Sequence, residues 1–307
     1  AWMRSEAADH TRGRARGRPL WGLVSVLICA FWLVLGVEVR AQSVSDTATP
    51  FRIGVLSTEG ATRTLEAWGP TAAYLNEAAQ KQGLPYRFSI EPHTLASLSD
   101  AVEKHKIEFA LTDPASFVAA EVEDGARALL SVAKQWQGRT YDRTGALIFT
   151  RADSPVRSLR QLEGKRVMAV EPNDFGGWWL AAQEFRKRRM DPERALSELV
   201  FSGGNQREVV YAVQSGLVDA GVIRAGLLED LAAQGAIDLI DFAPIAVAPA
   251  QDYPFWVSTP LYPELMLSAL PEVPEPVLAM VINTLLTVGF DSPEAQAAGG
   301  MIWQAPQ

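Results

Sequence analysis

The sequence predicts an α/β protein of two lobes, each built on a doubly wound βαβ sheet. Three observations carry that prediction. Residues 51–111 read as strand, helix, strand, helix, strand, and residues 146–223 repeat the plan. Within the second stretch, the turn Glu171-Pro172-Asn173-Asp174-Phe175-Gly176-Gly177 opens directly onto a helical pattern from Trp178. Strands alternating with helices of this length form parallel units whose ligands sit beyond the strands' carboxyl ends.

Phe51–Leu56 alternates and is rich in β-branched residues, so it predicts the first buried strand after a polar linker at 42–50. Ser57-Thr58-Glu59-Gly60 predicts a turn. The stripe Trp68, Ala72, Leu75, Ala79 predicts a helix over 68–80, which Gly83 stops. A strand at 86–90, a helix at 95–105, a strand at 107–111 and a helix from Ala115 complete the first unit. The loops after its strands are Ser57–Gly60, His93 and Thr112–Ser116.

The second unit predicts strands at 146–150, 166–170, 199–201 and 218–223, with helices at 158–162, 178–190 and 206–215. The apolar stretch 245–248 predicts a strand returning to the first lobe. Pro271, Pro274 and Pro276 mark a loop before a last helix at 277–288. The expected division is lobe 1 at 51–143 plus 244–307 and lobe 2 at 144–243, with a ligand cleft between them.

The first 41 residues differ from the rest. Arginines at 4, 12, 14, 16 and 18 precede an uncharged run at 20–37, and Val39-Arg40-Ala41 offers a peptidase site. The expectation is an export signal, or a signal anchor tethering the chain to the inner membrane, with the remainder in the periplasm. Ala1-Trp2 before Met3 and the abrupt Ile302-Trp303-Gln304 end suggest a fragment of a longer gene.

Of the 307 residues 48% are hydrophobic and 21% charged, a composition for a folded core. Without residues 1–41, which hold six arginines and three acids, 22 basic and 33 acidic residues remain, a net charge of −11. That surface argues against nucleic acid as a partner. Cys29, the only cysteine, lies in the apolar run, so the exported part has no thiol nucleophile, disulfide or thiolate metal ligand. No cofactor is expected, and no catalysis.

Candidate binding residues follow from strand ends and the glycine turn. Gly176 and Gly177 would let backbone N–H groups approach an anion at a helix N-terminus, with Asp174 and Phe175 beside them; a plain tight turn is the alternative. Arg224 ends a buried strand, where a guanidinium can clamp an oxyanion or pair with Glu229 or Asp219. Thr112 and Ser116 flank Pro114, one as helix cap and the other as a hydroxyl for ligand. Ser57 and Thr58 carry the same two readings.

Over roughly 51–300 the chain resembles the phosphate/phosphonate-binding, PhnD-like branch of the type II periplasmic binding proteins. The matching phrases are Arg151-Ala-Asp-Ser154, Leu159-Arg-Gln-Leu-Glu-Gly-Lys-Arg-Val167, Pro172 to Gly177, and Val209 to Gly221 around Ser215-Gly216 and Asp219. Val222-Ile-Arg-Ala-Gly-Leu-Leu-Glu229 and Val257-Ser-Thr-Pro-Leu-Tyr-Pro-Glu264 are more similar to the sensor domains of tetrathionate-type histidine kinases. The resemblance implies a Venus-flytrap fold that binds a small anionic ligand. It implies as partner an ABC permease or, alternatively, a membrane sensor kinase. It also marks Tyr141 as a ligand-contacting tyrosine, against a packed hinge role. One departure stands out: phosphonate binders place Ser-Thr-Ser-Gly at the glycine turn, where this chain has Asp174-Phe175-Gly176-Gly177. Asp174 would repel a phosphonate unless it caps the helix or receives a donor.

Overall fold

Side chains of Ala146–Arg151 alternate between two hydrophobic cores: Ala146 and Ile148 join one, Leu147 and Phe149 the other. A strand buried on both faces needs apolar residues at every position, and this one has them. The computed structural model describes residues 48–306 apart from 249 and 251. The expected signal segment and its peptidase site lie outside the described residues. Among the described residues no helix is long and apolar enough to cross a membrane.

In chain order, β1 (Thr49–Leu56), α1 (Ala61–Lys81), β2 (Tyr86–His93), α2 (Leu95–Glu103), β3 (Phe109–Thr112) and α3 (Pro114–Asp124) form the first unit. β4 (Arg127–Trp136), β5 (Arg139–Tyr141) and β6 (Arg143–Thr144) follow, then β7 (Ala146–Arg151) and β8 (Arg166–Ala169). A π-helical turn at Phe175–Trp179 leads into α4 (Leu180–Lys187), α5 (Pro192–Ala195), β9 (Glu198–Phe201), α6 (Gln206–Gln214), β10 (Ala220–Arg224) and α7 (Leu227–Ala233). β11 (Phe242–Ile245), β12 (Tyr262–Pro263), β13 (Met266–Ala269), α8 (Glu275–Leu285), α9 (Pro293–Ala297) and β14 (Met301–Gln304) close the chain.

Two mixed sheets result. The larger runs β14-β4-β13-β3-β1-β2 with β5 added beside β4, and the smaller runs β11-β7-β10-β8-β9. Each contains the same parallel triplet, β3-β1-β2 in one and β10-β8-β9 in the other. The expected repeat of the first plan is therefore present, and it begins at β8; β7 is antiparallel to β10. Two chain crossings link the sheets, one entering β7 and one leaving β11. β6 and β12 pair across these crossings, Thr144 opposite Tyr262 and Arg143 opposite Pro263.

Three sequence expectations fail locally. The strand expected at 245–248 to return to the first lobe forms instead at 242–245 and pairs antiparallel with β7, Phe242 opposite Arg151 and Ile245 opposite Ile148. Phe242 and Ile245 bury themselves on the two faces of the smaller sheet, and that packing outweighs the sequence's hint of a crossover. Helix α1 starts at Ala61 and runs through Pro70. Proline in a helix interior costs about 3 kcal/mol, and here Trp68, Thr71, Ala72 and Leu75, all buried, offset it. α4 begins at Leu180, after the π-helical turn, not at Trp178.

Candidate functional site

Equivalent strands of the two triplets end at one cavity. Leu56, Thr58 and Glu59 follow β1, Asp113 follows β3, Asp174 to Gly176 follow β8, and Arg224 ends β10. These residues, together with Lys134, Thr144, Gln206 and Glu264, line a space of about 420 Å³, room for a small molecule.

Asp174 sets the geometry of the glycine turn. Its side chain accepts from the Gly177 amide as an N-cap, and the Trp178 and Trp179 amides donate to its carbonyl at 3.0 and 2.8 Å. Asp174 is partly buried, and what surface it keeps faces the cavity. Burial pushes its carboxyl up to about 6 against the Gly177 hydrogen bond, and the nearby Asp113 and Glu171 push the same way. Gly177 is required by packing: a Cβ there would sit 2.6 Å from Val170 Cβ and 2.7 Å from Asp174 Oδ1. Gly176 lies against β10, its would-be Cβ 3.2 Å from Arg224 Cβ.

Arg224 is partly buried with its guanidinium at the cavity. Nη2 donates to Glu264 Oε1, and no other hydrogen bond of the guanidinium is formed among the described residues. A guanidinium has five N–H donors, so most of this one's capacity remains for a ligand. Burial works against its charge, while Glu264 holds it on. Its backbone amide is fixed by Gln206 Oε1 at 2.9 Å.

A second cation comes from the larger sheet. Lys134 of β4 is buried, ion-paired with Asp230 of α7, and its Nζ lies 5.3 Å from the Trp136 ring and 5.0 Å from the Phe255 ring. Burial lowers its pKa, and Asp230 opposes that. Arg207 of α6 reaches Glu59 at 3.4 Å and Gln234 at 3.2 Å. Lys134–Asp230 and Glu59–Arg207 each join a residue of one sheet's layer to one of the other's.

The remaining candidates divide. Thr58, Asp174, Phe175, Gly176 and Arg224 are brought together on the cavity. The Ser57 hydroxyl accepts from Thr64 Oγ1 at 2.9 Å, tying the turn to α1. Ser116 donates to Asp113 Oδ2 at 2.8 Å, and Thr112 Oγ1 donates to the Asp113 carbonyl at 3.0 Å. Both line a neighbouring cavity that shares Asp113 and Phe175 with the first. Asp113, not Thr112, caps α3. Tyr141 packs edge-on against Tyr253 and Phe255, off the cavity. The predicted partners of Arg224 are engaged elsewhere: Glu229 accepts from the Trp256 amide at 2.7 Å, and Asp219 from the Arg166 amide at 2.8 Å. Among the described residues no cluster of three or more His, Cys, Asp or Glu could hold a metal ion.

Sequence reasoning missed Lys134, Asp230, Thr144 and Glu264 as site residues. The apolar run Ala128–Ala133 marks a buried strand, and a lysine directly after it was the available signal.

The profile for the periplasmic substrate-binding protein of phosphonate ABC transporters matches residues 53–305. The tetrathionate sensor histidine kinase TtrS of Salmonella typhimurium is 31% identical over 261 residues, covering 84% of this chain and 42% of that protein. The chain thus spans less than half the length of that kinase. A binding-protein component of a phosphonate ABC transporter from Pseudomonas aeruginosa superposes with a TM-score of 0.65 at 15% identity, over 84% of this chain and 82% of that one. PhnD1 from Prochlorococcus marinus, solved with methylphosphonate, gives 0.66 at 10% identity, over 84% and 93%. At such identities these two structures establish the fold.

Proposed function

The chain belongs to the family of periplasmic substrate-binding proteins of phosphonate ABC transporters, and from that membership we propose that it captures a small anionic ligand between its lobes and reports the closed state to a membrane partner. The family is one of extracytoplasmic binding proteins, not enzymes, with the two-lobed type II fold. The observation that carries the proposal is Arg224: a guanidinium with unused donors, at a strand's carboxyl end, on a cavity lined from both sheets.

Closure follows from the placement. A ligand touching Arg224 and the β1–α1 turn makes contacts with both layers only when they approach, so it stabilises the closed arrangement by its differential affinity. The lobes that move are 51–143 with the C-terminal segment, and 144–243 extended to Ile245.

A sensor role is favoured over a transport role by one finding, the 31% identity with a sensor kinase across most of this chain. In that reading closure biases a kinase; in the other it docks a permease.

Thermal unfolding of the chain with phosphate, phosphonates, tetrathionate and other sulfur oxyanions, and small organic acids tests the ligand class. An anion at about 100 times its Kd stabilises by about 2.7 kcal/mol. That shift is expected to vanish in Arg224→Gln; stabilisation by sugars or cations alone defeats the proposal. Replacing the matching region of the kinase by this chain, with ligand-dependent autophosphorylation as readout, separates sensing from transport.

A further inference from the structure

Glu264 is the most deeply buried carboxylate on the cavity, 3% exposed, and only one of its oxygens is used. Oε1 accepts from Arg224; Oε2 is buried with no hydrogen-bond partner among the described residues. The Thr144 hydroxyl, buried on the same cavity with the Tyr253 phenol near it, also lacks a hydrogen-bond partner among the described residues. Neither residue is there by looseness of the chain. The Glu264 amide donates to the Asp142 carbonyl at 3.0 Å, and Thr144 is paired with Tyr262 in the β6–β12 ladder.

An unpaired buried carboxylate oxygen is costly, and such groups are satisfied by a donor. We infer that Glu264 Oε2 is a subsite for a hydrogen-bond donor on the ligand, next to the anion subsite on Arg224 and on the same cavity as the Thr144 hydroxyl. The inference rests on the reading of this cavity as an anion site and narrows it. The ligand presents an ionised oxygen to the guanidinium and an O–H or N–H to Glu264. A singly protonated oxyanion meets that demand, and so does an anion carrying an ammonium group.

A donor-free oxyanion does not. Its second oxygen would face a buried carboxylate, and like charges in a poorly solvated site repel strongly. Lys134 and Arg207, also on the cavity, do not relieve this, because Asp230 and Glu59 hold them. Glu264 is therefore a specificity-determining residue that selects against donor-free sulfonate and sulfate anions of equal size.

Matched probes test this on the full chain by titration calorimetry and thermal shift. Methylphosphonate is paired with its isostere methanesulfonate, and taurine with ethanesulfonate; the first pair supplies or removes an O–H, the second an N–H. In the unmodified protein at least one donor-bearing member is expected to bind about ten- to a hundredfold tighter than its partner, the factor for one charge-assisted hydrogen bond. Glu264→Gln, whose amide can itself donate, is expected to close most of that gap. Equal binding within both pairs, tighter binding of the donor-free methanesulfonate and ethanesulfonate, or a gap unchanged in Glu264→Gln overturns the inference. Donor-free sulfonates that bind as well as their donor-bearing partners and need Arg224 would leave the anion site standing and remove only the donor subsite; if no probe of any kind binds, both fall. Should Glu264→Gln fail to fold, the paired comparison in the unmodified protein decides alone.

Discussion

Lys134, in β4, the longest strand of the larger sheet, is held by Asp230 from a helix that packs on the smaller one. The lysine side chain is 6% exposed and the aspartate 28%. A buried pair of this kind joins the two layers at the edge of the cavity, and its worth depends on both partners being present.

Asp230→Asn leaves the Lys134 ammonium buried beside Trp136 and Phe255 without its counter-charge. The expected loss is about 3 kcal/mol of unfolding free energy, the figure for breaking one side of a buried pair. Lys134→Met combined with Asp230→Leu is expected to recover most of it, read by urea denaturation. Independent, additive losses would show that the pair is not coupled.

Glu59 and Arg207 form the opposite case. Their side chains are 34% and 22% exposed, so the bond contributes below about 1 kcal/mol to global stability and weakens with salt. Because it spans the two layers, Arg207→Ala is expected to raise the radius of gyration of the unliganded protein in small-angle scattering while leaving the denaturation midpoint almost unchanged. A large stability loss with no change in scattering contradicts this.

Asp174 makes stability depend on pH. Its folded pKa of about 6 lies above the unfolded value near 3.8, so the native state binds more protons between them. Unfolding free energy therefore falls as pH rises from about 4 to about 6, by up to about 3 kcal/mol from this group. Asp174→Asn is expected to flatten that portion of the stability–pH curve and to keep the cap on Gly177. The same slope in the variant would assign the effect to other carboxyls.

Gly177→Ala drives a methyl group into Val170 and Asp174 Oδ1. Overpacking of this kind costs about 1–3 kcal/mol. Gly176→Ala meets Arg224 Cβ at 3.2 Å and its Cα and Cγ at 3.4 Å, so its main expected effect is on ligand affinity, through a displaced guanidinium. Guanidine denaturation and ligand titration of both variants distinguish the two roles; the reverse ranking would exchange them.

Alternation and turn chemistry made the two parallel triplets, their loops and Arg224 legible in the chain, because those features are local. A strand that runs into a glycine turn announces its own carboxyl end, and ligands gather at such ends. The larger sheet's second half was harder to read. β4 and β13 are central strands whose continuous apolar runs carry no helix–strand signature of their own, and β14 pairs across more than a hundred residues.

What the sequence alone determined is the class of fold, the repeat of its triplets and the strand ends where a ligand can sit, since each depends on residues close together in the chain. The pairing of charges was decided only by the tertiary structure. Arg224 met Glu264, forty positions away, and Lys134 met Asp230, ninety-six away. Nothing in local propensity ranks one distant carboxylate over another; the crossings of the chain bring one within reach, and burial then makes that choice binding.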